Sequence, residues 1–434
     1  MTLHGVDAIR FRKAERRLAK LAQCLWDRCD PVPLRTETLR WLNVHNGQAS
    51  LAPIWYLYVW YLVGAELASR EEDAALSLLG QLTPVLEQHQ REEGRHNGFS
   101  ALYWGLTALA NIRIEDWSVA EAAHGEAMAH FNDCPMSREE RAQLQRLLCV
   151  TGYSLNIQNG YLTDLEPKLL AMAQSAENRL GQVEARLLLG RYYLAVGMTE
   201  QATSHLEFAA AQGGQTYLPL EAEILLHQLR KQPLNAEQQE RIAWRQVLRL
   251  KNTDPRYDGE RILTACAQAL EQKVLSQEKE ETARMLAATA LVNLGPGQEA
   301  EPLLDQIKAP VLQTPVVNLR LLIRIRQGRL DEAERLLHSV PEERRKDLFY
   351  AECQIRLARG DLSGLEEPIR AFLEDSTALF DQVKAHFLMG QYCLALGRQA
   401  QAKEHLTFVV EHGGRLYIRK RAEQLLEDAG GADT

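Results

Sequence analysis

The chain has 434 residues, 46% of them hydrophobic and 25% charged, ordinary proportions for a folded protein of about three domains or one long repeat array. That composition excludes disorder, a collagen-like helix and a disulfide scaffold. Lys+Arg number 50 against 58 Asp+Glu, a formal net charge of −8. Nucleic acid is therefore not expected as a partner, because phosphate binding asks for a basic face.

In chain order, the first predicted element is a helix over 6–29. It carries the one dense basic run, Arg10, Arg12, Lys13, Arg16, Arg17 and Lys20, with Ile9, Leu18, Leu21 and Leu25 at amphipathic spacing. The pattern runs unbroken to Cys29, so it lacks the two short helices of a DNA-binding helix-turn-helix. A solvated face of a capping helix is the expected role. No apolar leader core opens the sequence, and the seven cysteines never stand as CxxC. Both features lead us to expect a cytoplasmic protein with reduced thiols. The stretch Leu51–Ala65 is the longest apolar run, but Pro53 interrupts it and Glu66 closes it. It falls short of the ~20 residues of a membrane span. Its aromatics Trp55, Tyr56, Tyr58, Trp60 and Tyr61 spread around more than one helix face. We expect them to pack within an N-terminal capping repeat, with Trp55, Tyr58 and Trp60 as the possible aromatic interface.

Further along lies an internal duplication. Residues 182–226 align without gaps on 382–426, with 21 of 45 positions identical, where composition alone gives roughly three. The register extends upstream through Gly160/Gly360, Leu162/Leu362, Leu165/Leu365, Glu166/Glu366 and Ala171/Ala371. A shorter period runs inside each half. Gly190, Tyr193, Gly197, Ala202 and Ala209 are echoed by Gly390, Gly397 and Ala402, with Cys393 in place of the aromatic. Looser copies pair Gly295 with Ala300, Gly328 with Ala333, and Trp117 with Ala120, and one more covers Ala74 to Leu79. Gly213–Gly214 and Gly413–Gly414 follow helices and lack a GK[ST] sequel, so they read as helix ends before Tyr217 and Tyr417.

These residues resemble the tetratricopeptide repeat family, strongly in the duplicated pair and loosely over most of 50–430. The resemblance implies an all-α fold, a right-handed α-solenoid of eight to ten TPR-like helical hairpins in two duplicated halves. The expected domains are a basic N-terminal cap (1–48), a first half (49–230), a second half (231–416) and a C-terminal capping helix with tail (417–434). The stretch 229–239 is expected to be a junction or hinge. In that family the first helix of each repeat lines a concave groove for an extended peptide or partner helix. Carried over by register, the groove candidates are Arg113, Arg191, Asn293, Asn318, Arg326, Tyr350 and Lys384, with Leu187 and Phe387 as apolar positions. Arg and Asn suit the task because they hydrogen-bond a bound chain's backbone and carboxylates. The family's Lys/Asn clamp for a C-terminal carboxylate does not assemble here.

No HExxH, GxSxG, P-loop or CxxC occurs. His124 and His130 lie six apart, on different faces of a straight helix. His205 and His405 are equivalent in the two copies and read as seam residues. The expectation is a non-catalytic adaptor with no catalytic residue, metal or cofactor, binding protein or peptide, with no nucleic acid and no membrane span. The alternatives are a peptide-sensing regulator of the bacterial signalling type and an enzyme on a helical toroid. Partner and oligomeric state are not legible.

Overall fold

The structure, a computed structural model, describes residues 6–45, 52–92, 98–133, 138–253, 259–376 and 379–430. The described residues are helical and form no strand, and the chain divides into two compact units, Met1–Gln238 and Gln239–Thr434. The first holds α1 (Val6–Arg28), α2 (Val32–His45), α3 (Ala52–Ala68), α4 (Glu72–Glu92), α5 (Gly98–Arg113), α6 (Trp117–Asp133), α7 (Arg138–Gln158), α8 (Leu165–Ser175), α9 (Arg179–Ala195), α10 (Thr199–Gln212) and α11 (Leu218–Leu229). Helix α12 (Ala236–Thr253) begins at its end and continues into the second unit. The second adds α13 (Gly259–Glu271), α14 (Gln277–Leu294), α15 (Glu301–Leu304), α16 (Gln313–Arg326), α17 (Leu330–His338), α18 (Glu342–Arg345), α19 (Phe349–Arg359), α20 (Glu366–Asp375), α21 (Leu379–Ala395), α22 (Gln399–His412) and α23 (Tyr417–Gly430). No described helix is long and apolar enough to cross a membrane. Helix α12 runs to Thr253, and residues 254–258 lie outside the described set.

Neighbouring helices pair into hairpins, and one local rule builds most of them. A residue with positive φ turns the chain, and five positions later a small or Leu side chain opens the second helix at full burial. The pairs are Arg70/Ala75, Glu115/Ala120, Gly160/Leu165, Gly197/Ala202, Gly328/Ala333, Gly360/Leu365 and Gly397/Ala402. The left-handed turn ends the first helix at once, and the small residue lets the second approach it closely. At Gly295 the expected turn moves two residues on, because Gly297 carries the positive φ and Gly295 is extended. The tightest crossing is in the duplicated module. A Cβ at Gly190 would lie 2.6 Å from Leu206 Cδ2, and one at Gly390 2.7 Å from Leu406 Cδ2. Nothing but glycine fits there without displacing the opposing leucine side chain.

The first unit is closed by long-range contacts between its beginning and its end. Leu18, Ala22 and Leu25 of α1 share one apolar cluster with Tyr58 of α3, Leu187 of α9 and Leu218 and Leu226 of α11. Gln215 N donates to Cys29 O at 3.0 Å, and Tyr217 N donates to Ala68 O at 2.9 Å. Gly214, at φ 58, lies against the Cys29 carbonyl, where a Cβ would come within 2.7 Å. Of the α3 aromatics whose side chains are described, Tyr58 is core and Trp60 and Tyr61 are half-buried. Tyr58 is buried and stacked on Trp41 at 4.2 Å between centroids, and Trp60 meets Phe99 edge-on at 4.8 Å. The side chain of Trp55 lies outside the described residues.

Candidate functional site

The second unit carries a cleft of about 520 Å³ on the face formed by α16, α19, α21 and α23. Its walls are apolar, with Leu322, Ile325, Leu357, Phe387, Leu394, Ile418 and Leu425, and its polar groups are Arg326, Tyr350, Gln354, Gln391, Tyr417 and Arg421. Among the described residues no carboxylate lines it. Helical spacing places these residues together, since Phe387, Gln391 and Leu394 recur at i, i+4 and i+7 on α21, as do Ile418, Arg421 and Leu425 at i, i+3 and i+7 on α23. Gln354 Nε2 donates to Gln391 Oε1 at 2.6 Å, which joins α19 to α21 and leaves further amide donors and acceptors at the cleft. Arg421 is exposed and hydrogen-bonds Gln424 Oε1 at 3.0 Å.

Arg326 and Tyr350 both reach this cleft, but Arg326 does so as a fastener. Its guanidinium donates to the carbonyl of Val292 and, at 2.7 Å, to that of Gly295, and it lies 4.3 Å over the Tyr417 ring. Burial pushes Arg326 down from the usual guanidinium range and Tyr350 up from the usual phenol range. Lys384 sits just outside, 3.5 Å from Asp381 Oδ1 and 4.0 Å from the Phe380 ring, and desolvation lowers its pKa against the opposing pull of Asp381.

The first unit repeats the fastener. Arg113 is buried, donates to Leu67 O at 2.8 Å, and lies 3.0 Å over the Tyr217 ring. Tyr217 is pushed up to about 12, chiefly by burial. Arg113 therefore holds the last helix of its unit to the ends of α3 and α5. Arg191 pairs with Glu221 at 3.3 Å across α9 and α11. Of the remaining candidates, Asn293 ends α14 half-buried, away from the cleft. Asn318 lines a separate shallow depression with Val311, Pro315, Arg344 and Leu348, and its Oδ1 is buried without a hydrogen-bond partner among the described residues. The sequence reading missed Gln354, Gln391 and Arg421. The duplication held the signal for two of them, since Gln391 replaces Arg191 and Arg421 replaces Glu221.

The seam histidines are paired in both units. His205 Nδ1 lies 3.0 Å from Arg186 Nη1, whereas His405 Nδ1 lies 3.0 Å from His386 Nδ1. His386 also stacks on Phe408 at 3.9 Å, and His412 stacks on the same ring at 4.2 Å. Burial next to His405 lowers His386 to about 4. Among the described residues no group of three or more His, Cys, Asp or Glu is placed to hold a metal ion. His124 is hydrogen-bonded to Thr151 Oγ1 at 2.8 Å.

A family model for the tetratricopeptide repeat matches the chain at residues 183–207, 323–339 and 383–406. The first and third stretches lie within the duplicated α9–α10 and α21–α22 hairpins, and the second covers the last turn of α16 and all of α17. No curated protein and no solved structure matches the chain.

Proposed function

We propose that this chain, built of tetratricopeptide repeats, is a non-catalytic scaffold that holds a protein or peptide segment in the cleft of its second unit. The observation that carries the reading is the cleft itself. It combines an apolar floor between four helices with a Gln354–Gln391 amide pair and an exposed Arg421. Apolar walls bury side chains of a bound segment at roughly 25 cal/mol per Å² removed from water, while amides and a guanidinium satisfy its backbone and carboxylates. The half-buried fastener Arg326 supports the cleft's geometry and is not the gripping residue.

The test is affinity capture with the tagged full chain from its host, comparing wild type with Leu394→Asp and with Leu425→Asp, each checked for helicity and melting. The expected result is a protein recovered with wild type and lost with both variants. Equal recovery by folded variants would move the binding surface elsewhere.

A further inference from the structure

The two copies of the duplicated module differ most tellingly in the charge of one face. In the first unit the copy of the cleft face has a helix seated on it. Leu187, Leu194, Leu218 and Leu225 stand where Phe387, Leu394, Ile418 and Leu425 line the cleft, and all four share the apolar cluster of α1. The buried α1 residues in that cluster are Leu18, Ala22 and Leu25, spaced i, i+4 and i+7, with Phe11, Ala14, Leu21 and Trp26 packed around them. The matching cluster of the second unit, among the described residues, draws on α21, α22, α23 and the turn residue Leu416 before α23.

The polar positions around the face differ. Arg191 and Glu221 in the first unit become Gln391 and Arg421 in the second, which takes this pair from neutral to one positive charge, while Glu184 becomes Lys384, just outside the cleft beside Asp381. In the first unit Glu184 and Glu221 are held by Arg146 and Arg191. The cleft of the second unit is instead lined by Arg326 and Arg421 with no carboxylate among the described residues, so its lining is positive and calls for an acidic ligand.

We infer that the cleft of the second unit takes an acidic amphipathic helix of a partner, with Leu-like side chains at i, i+4 and i+7 and carboxylates facing Arg421. The inference rests on the groove reading above and specifies its ligand. A main-chain carboxylate is not required, because Arg421 meets a side-chain carboxylate beside the apolar contacts. The ion pair Arg191–Glu221 of the first unit is absent at these positions in the second, so Arg421 is available for a partner's carboxylate. Because the pairing is partly exposed, affinity should fall as salt rises.

Three labelled peptides of one length, acetylated and amidated at their ends, test this by fluorescence anisotropy on the full chain. One has Leu at i, i+4 and i+7 on a Glu-rich helix, the second has Lys for every Glu, and the third has Ser for every Leu. The protein is wild type or the Gln391→Arg/Arg421→Glu double variant, which installs the first unit's own residues and so keeps a pairing this fold already accommodates. The acidic Leu peptide should bind wild type at least tenfold more tightly than either other peptide, and the double variant should lose at least tenfold of that affinity. Tighter binding of the Lys peptide would overturn the acidic ligand, and its loss on Leu394→Asp would leave the groove reading standing. Acidic binding untouched by the double variant would place the contact away from Arg421 and overturn the inference. No binding by any peptide would overturn the helical ligand, with the capture experiment above then deciding the groove reading separately.

Discussion

The two end modules, 182–226 and 382–426, share 21 of 45 residues, yet they put their polar side chains to different uses. Both keep the crossing glycine, the turn glycine and the buried alanine, and both end in a tyrosine lying under an arginine from an earlier helix. The first module then meets α1 and closes an ion pair between Arg191 and Glu221. The second presents an amide pair and an exposed arginine around a cleft. Residues that set helix distance and turn direction were held through the duplication, whereas polar positions such as Arg191/Gln391 and Glu221/Arg421 on the same helices diverged. A fold constraint and a binding surface can thus occupy one helix without competing, because they lie on different faces of it.

The fastener is where that comparison can be broken most forcefully. Arg113→Ala removes a charge-assisted hydrogen bond and a close contact with an aromatic face, and strands the Leu67 carbonyl. The expected loss is about 3 kcal/mol of unfolding free energy. Arg326→Ala should cost a similar amount, about 3 kcal/mol, because its longer ring contact, 4.3 Å against 3.0 Å, is offset by a second stranded carbonyl. Denaturant unfolding of the two variants checks both values. Equal and negligible losses would mean that the arginines do not hold the last helices in place.

Next comes the helix crossing. Adding a methyl at Gly190 or Gly390 forces the opposing leucine aside and should destabilise by about 1–3 kcal/mol, similarly in both units because the clearances are 2.6 and 2.7 Å. A much smaller cost at Gly390 would show that the second module yields where the first does not.

Acid separates the modules again. His386 is held to about 4 by burial and by His405, with Glu404 opposing and His412 assisting. A histidine whose folded pKa lies below its unfolded value prefers the neutral form when folded. Its contribution is therefore complete above about pH 6.5 and is lost as pH falls from there toward 4. With partial exposure taken into account, the loss is about 1–2 kcal/mol. His386→Arg installs the first unit's residue beside His405 and should flatten that part of the stability profile. An unchanged slope between pH 6.5 and 4 would assign the acid sensitivity elsewhere.

Much of this architecture was legible because it is local. The Gly-to-Ala spacing of five marks Gly197, Gly328 and Gly397, and it marks the helix that follows each. The same turn at Arg70 and Glu115 was hidden, since nothing in an arginine or glutamate side chain announces a left-handed backbone. The site was read only in part. Register alone put Arg113 and Arg326 on the correct helices, but both stand in the last turn, where a long side chain reaches the carbonyl ends of a neighbouring helix. Contacts such as Gln215 with Cys29 join residues far apart in sequence and leave no periodic trace.

The smallest expected effect sharpens this distinction between local and distant constraint. Gly197 and Gly397 have φ of 79° and 72°, and a Cβ built on either meets nothing within 4 Å. Alanine there costs only the left-handed conformation, about 1 kcal/mol, without the crowding that Gly190 and Gly390 add. Unfolding measurements on Gly197→Ala and Gly397→Ala should give matching values, each below those of the crossing glycines. If the turn variants proved as costly as the crossing variants, open space around the turn would be the wrong description, and the conserved spacing would reflect packing instead of backbone conformation. If they match as expected, the two modules are energetically equivalent at their turns and crossings. Their differences then reside in the polar faces of α9, α11, α21 and α23, where the cleft chemistry lies.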